Sequence, residues 1–135
     1  MTRIKILAAI LVCSVLTSCE SGLDLAVIND SAGVITVSMG NRSKTVAEGG
    51  TVKYHFPGLR EKFLVKTAQC ELWFRMPNEL GEYPWRLNGV FPVQFERDLK
   101  LYAVPPETRK PIPHSEIVAM QPTNFPIAPE QMICS

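Results

Sequence analysis

The chain has 135 residues, a length that accommodates one well-cored domain and not two. Its 46% apolar and 20% charged residues are a globular composition, which excludes a disordered polar chain. Fourteen basic against thirteen acidic side chains leave a net charge of +1, without the basic excess a nucleic-acid binder carries.

Arg3 and Lys5 open the chain as a short positive region, followed by the apolar stretch Ile6 to Leu16. That run is shorter than the roughly 20 apolar residues a spanning helix needs, and it has the form of a secretory signal peptide. It ends in Leu16-Thr17-Ser18-Cys19. This tetrapeptide resembles the lipobox of bacterial lipoproteins, in which Leu stands three residues before a Cys and small residues lie between. The resemblance covers residues 1–19 alone. It implies a diacylglycerol on the thiol of Cys19, cleavage just before that residue, and a chain held on a membrane by two or three acyl chains, enough for stable anchorage. Residues 1–18 are then the signal peptide, and losing Arg3 and Lys5 with them shifts the net charge from +1 to −1. Glu20, where an Asp favours inner-membrane retention in enterobacterial lipoproteins, points to the outer membrane. A plain signal peptide cut elsewhere is the alternative, but no Ala-x-Ala triplet stands near its end.

From Leu23 the signals are those of strands. Leu23–Ile28 is a first candidate; Gly33–Met39, Thr51–Phe56, Lys62–Thr67 and Cys70–Met76 alternate apolar and polar residues with period two. Val90–Phe95 and Asp98–Val104 follow as further strands. Asn29-Asp30-Ser31, Gly40-Asn41, Glu48-Gly49-Gly50 and Pro57-Gly58 supply turn chemistry between them. Residues 19–104 are therefore expected to form an all-β domain, a small antiparallel β-sandwich or barrel. Phe63, Leu72, Phe74, Phe91, Val93 and Phe95 are expected in its core.

Residues 77–89 break the pattern and read as a long loop. Residues 105–135 hold seven of the eleven prolines and no glycine. They read as a proline-rich tail, extended and wrapped over the domain, with one short helical or strand turn within His114–Gln121. Ile127, Met132 and Ile133 give the tail apolar anchors; a disordered tail is the alternative. In an exported chain with Cys19 lipidated, Cys70 and Cys134 are the remaining thiols, and a disulfide between them is expected, free thiols being the alternative.

Enzyme signatures are lacking. His55 and His114 are the only histidines, and no nucleophile elbow, HExxH or phosphate-binding glycine loop occurs. Neither Cys has metal-ligand spacing. No catalytic residue, metal or cofactor is assigned. The candidate partner-binding residues are Trp73 and Arg75 on a strand and Tyr83, Trp85 and Arg86 in the 77–89 loop, since Trp, Tyr and Arg dominate interface anchors. The alternative is that Trp85 covers one end of the core and Trp73 lies half-buried under the tail. The expectation is a non-enzymatic lipoprotein of the periplasm, bound to the membrane through its N-terminal lipid and to another envelope protein. A glycan-binding or glycan-cleaving protein using Glu79, Glu82, Tyr83 and Trp85, and a periplasmic inhibitor presenting the 77–89 loop, are the alternatives.

Overall fold

The computed structural model describes residues 23–56, 62–76 and 90–135. The chain builds two sheets and passes repeatedly between them. In order it forms β1 (Leu23–Asp30), β2 (Ile35–Met39), β3 (Arg42–Val46), β4 (Thr51–Phe56), β5 (Lys62–Lys66), β6 (Cys70–Arg75), β7 (Val90–Glu96), β8 (Leu101–Ala103), α1 (His114–Ala119) and β9 (Gln131–Cys134). One sheet has the order β4-β1-β7-β8 and the other β3-β2-β5-β6-β9. The protein is an all-β sandwich.

Pairing is antiparallel throughout except β1 with β7, which run parallel from Asp24↔Val90 to Asp30↔Glu96. A parallel neighbour requires a crossover, and the crossover here is the whole excursion of β2 to β6. β2 and β3 are joined by the two residues Gly40-Asn41, because Met39 pairs with Arg42. Gly40 has φ 59°, the left-handed value that the first position of a type II′ hairpin turn demands.

The inward residues of both sheets form one core. Phe63, Leu72, Phe74, Phe91, Val93 and Phe95 are all fully buried in it, with Leu25, Val27, Ile35 and Val37. Phe74 stands between Phe63, stacked at 5.7 Å, and Phe95, edge-on at 6.2 Å. The Phe74–Phe95 contact binds the two sheets to each other, since Phe63 and Phe74 belong to one and Phe95 to the other.

Several boundaries differ from the sequence reading. Asn29 and Asp30, read as a turn, extend β1, because they pair with Phe95 and Glu96. Asn29 is fully buried: its amide donates to the carbonyls of Gly33 (2.8 Å) and Val46 (3.0 Å), and its Oδ1 accepts from the Ser31 N–H (2.9 Å). The strand read as Asp98–Val104 shrinks to three residues, since Glu96, Asp98 and Leu99 make the turn before it. β3 carries no apolar alternation, only Val46 being buried, and the sequence did not announce it.

The tail is ordered and spans both sheets. After β8 it crosses the outer face of the four-stranded sheet, where Ile112 and the fully buried Ile117 of α1 meet Ile28, Tyr102 and Val104. Phe125 then packs on Phe91 at 5.8 Å, and Ile127 forms a bridge to Leu101. The last residues join β6 as β9, so the extended tail ends as a strand of the five-stranded sheet. Cys134 stands opposite Cys70, and the two are disulfide-bonded.

Candidate interaction surface

On β6 the alternation sends Leu72, Phe74 and Met76 inward and Glu71, Trp73 and Arg75 outward. Trp73 therefore lies near the middle of the outer face of the five-stranded sheet. Its cross-strand partners are Leu64 on β5 and Gln131 on β9. Leu64, on the same outward face, is only 8% exposed. Ser38 of β2 pairs with Leu64 and with Ser43 of β3, so the row across this face reads Ser43, Ser38, Leu64, Trp73, Gln131. An apolar pair, Leu64 and half-buried Trp73, is thus framed by small polar residues.

Charges surround that pair. Arg75 and Lys62 are opposite one another on β6 and β5, and Glu130 from the tail settles between them. Arg75 Nε donates to Glu130 Oε1 at 3.0 Å, and Lys62 Nζ lies 3.1 Å from Oε2. The hydrogen bond from Lys62, reinforced by the charge of Arg75, holds the Glu130 carboxyl below its usual range. Lys66 and Glu71 form a looser pair at 3.6 Å. Arg75, a candidate partner-binding residue beside Trp73, is thus engaged with Glu130 of its own chain. It is half-exposed and tied to the tail, at a contact where an exposed ion pair contributes little stability by itself.

Tyr83, Trp85 and Arg86, with Glu79 and Glu82, fall in residues 77–89, outside the described residues; Cys19 lies outside them as well. Among the described residues no group of His, Cys, Asp and Glu is arranged to hold a metal ion. A cleft of about 430 Å³ between the 31–34 and 67–70 turns, with Arg97 and Leu99, has neither a carboxylate nor a histidine in its wall. The same holds for the trough of about 390 Å³ between Lys53, Pro92 and Arg109. His55 is exposed and 2.9 Å from Asp24 across β1 and β4.

The second histidine is in a different setting, which the sequence did not signal. Gln94 and Glu96 occupy outward positions on β7, yet the tail buries them to 0% and 3% exposure. Gln94 reads the tail backbone twice, donating to Ile112 O (2.8 Å) and accepting from Ile112 N–H (2.9 Å). His114 Nδ1 meets Glu96 Oε1 at 2.6 Å. Gln94 also donates to Glu96 and to Asp30, both at 3.3 Å, and Tyr102 donates its hydroxyl to Asp98. Burial pushes the Glu96 carboxyl up, with the His114 bond opposing it. The Glu96 bond pushes His114 up, and burial with the neighbouring Asp98 raises the Tyr102 phenol. The arrangement is a charged clip that holds the tail to β7.

Compared with protein-family models, curated proteins and solved structures, the chain matches none.

Proposed function

We propose that this chain is a lipid-anchored lipoprotein of the bacterial envelope, which acts without catalysis as a binding or assembly module. The observation that carries this reading is Leu16-Thr17-Ser18-Cys19. It is supported by the short interval between Cys19 and β1, which starts at Leu23. Three intervening residues reach roughly 10 Å, so the sandwich stands directly on the membrane. Leu23 pairs with Phe56 and Asp24 with Val90, so β4 ends and β7 begins at that same end. The turns at 31–34 and 97–100 lie at the far end of the eight-residue β1, roughly 26 Å away. Acylation at Cys19 faces the domain into the periplasm, with Glu20 favouring the outer membrane.

The partner is another envelope protein, and Trp73 is its contact. A Trp and Leu pair framed by small polar residues and rimmed by Lys62, Lys66, Glu71 and Arg75 has the composition of an interface centre with a polar rim.

Metabolic labelling with a palmitate analogue tests the anchor: the wild-type chain takes the label and Cys19→Ala does not, whereas labelling that persists in Cys19→Ala overturns the reading. Trp73→Ala tests the surface. It weakens recovery of the crosslinked partner by about tenfold or more, since a loss of 2 kcal/mol exceeds one decade in affinity, and leaves the melting temperature nearly unchanged. A fall of many degrees with unchanged recovery would make Trp73 a packing residue.

A further inference from the structure

A sheet edge presents unpaired backbone groups that invite another strand, and proteins blunt such edges. Three of the four edges here are blunted. β3 carries Arg42 and Lys44, and β4 carries Lys53 and His55. β8 is only three residues long and already engaged: Leu101 exchanges backbone bonds with Ile127 (3.0 and 2.8 Å), and Ala103 exchanges two with the Gln121 amide (2.8 and 2.9 Å). β9 has no such protection. Gln131, Met132, Ile133 and Cys134 are uncharged and all exposed, and among the described residues no strand lies beyond them.

The ladder determines which groups face out. The Ser135 N–H donates to Gln69 O at 2.9 Å, which makes 135 and 69 a hydrogen-bonded pair. Such pairs alternate along an antiparallel ladder, so Ile133 turns its N–H and C=O toward Glu71. Met132 and Cys134, opposite Leu72 and Cys70, turn theirs outward.

We infer that β9 pairs antiparallel with β9 of a second copy, about a two-fold axis at Ile133, and joins the two five-stranded sheets. In that register Met132 exchanges both backbone bonds with Cys134 of the partner subunit. Cys134 does the same with the partner's Met132, giving four bonds in all. Ile133, 54% exposed, faces Ile133 of the partner subunit in the close pair between them. The choice of a second copy follows from charge. In a two-fold pairing about Ile133 that residue meets its own copy and its neighbours come within a residue or two of theirs, so a charge in this short strand would be brought close to its like. Gln131–Cys134 has none, and the adjacent Glu130 is neutralised by Lys62 and Arg75 of its own chain. The contact falls in the small class below about 1,200 Å², so it forms at high concentration. It rests on β9 alone and is independent of the lipid and of the Trp73 surface.

Sedimentation of the oxidised full-length protein over a concentration series up to about 1 mM tests this, and its average mass rises toward that of a dimer. Met132→Pro removes one outward donor per copy and leaves the bonds to β6 in place, since proline is tolerated where a strand N–H faces away from its ladder. It weakens association about tenfold or more while the Cys70–Cys134 bond persists. Ile133→Lys does the same by setting two ammonium groups face to face. Val118→Lys, at an exposed position on α1, leaves association unchanged. A wild-type protein that stays monomeric throughout, or association that survives both β9 substitutions, overturns the pairing.

Discussion

Phe74 and Glu71 are three residues apart on β6 and have opposite environments. Phe74 is fully buried between Phe63 and Phe95, and Glu71 is exposed on the far side of the pleat beside Lys66. Truncating a buried Phe removes its transfer energy and leaves a cavity that close-packed neighbours only partly fill. Phe74→Ala is therefore expected to cost about 3–5 kcal/mol, measured by urea unfolding, and Glu71→Ala less than about 1 kcal/mol, its ion pair being exposed. This contrast was legible in the sequence because period-two alternation assigns faces without knowledge of the partner strand. Gln94 and Glu96 obey the same alternation and sit on the outward face, yet they are buried. Their burial is caused by the tail, which joins them from 18 residues away in the sequence through Ile112 and His114. Nothing in the local pattern of β7 encodes that.

At the scale of elements, β9 is the informative case. It is four residues long, exposed at every residue and, among the described residues, paired only with β6, so its docking depends on the ladder to β6 and on the Cys70–Cys134 bond. Closing a loop with a sequence separation of 64 lowers the entropy of the unfolded chain by an amount worth about 4 kcal/mol. Cys134→Ser is accordingly expected to lower stability by about that much. Hydrogen exchange at the Ile133 amide, which bonds to β6, should accelerate ahead of the core strands, because β9 has no burial of its own to hold it. An Ile133 amide exchanging as slowly as those of β5 in this variant would mean that the ladder alone suffices. The pairing of the two cysteines was expected from the sequence; that they stand directly opposite each other on neighbouring strands was not. β3 was missed for a related reason. Its residues Arg42-Ser43-Lys44-Thr45-Val46 contribute one buried side chain, and only the backbone bonds to β2 make it a strand.

For the molecule as a whole, the tail is a strap. α1 lies on the outer face of one sheet, Phe125 and Ile127 pack beside the core, and β9 extends the other sheet. The charged clip ties this strap to pH. His114 titrates above its ordinary value when folded because Glu96 binds its protonated form. The stabilisation is complete below the unfolded histidine value of about 6.5 and is lost as pH rises through the elevated folded value. Glu96, buried on β7, has its own carboxyl pushed up, so ionising it without an imidazolium partner is an added cost on the same alkaline side. Asp30, Asp98 and the Tyr102 hydroxyl are the other titratable groups around the clip, and the acids among them favour the imidazolium too. The melting temperature is expected to be higher at pH 6 than at pH 8.5, and the difference to shrink in His114→Gln. A melting temperature that rises over that interval, or an equal difference in His114→Gln, would exclude the clip as its source.

What the sequence by itself determined is what depends on neighbours one to four residues away: the strand periods, most of the turns that separate them and the inward face of each central strand. Alternation also sufficed for the six core residues, since a strand with one apolar face has only one side to bury. The tertiary structure alone decided the parallel pairing of β1 with β7, the two-sheet course of the tail and the burial of Gln94 and Glu96. It also decided the capture of Arg75 and Lys62 by Glu130 and the exposure of β9 as a sheet edge. Each of these is a contact between segments distant in the chain, and its free energy appears only when two surfaces meet. A proline-rich stretch without alternation has no preferred partner until a sheet offers Ile28, Tyr102 and Val104 on one face and the free edge of β6 on the other.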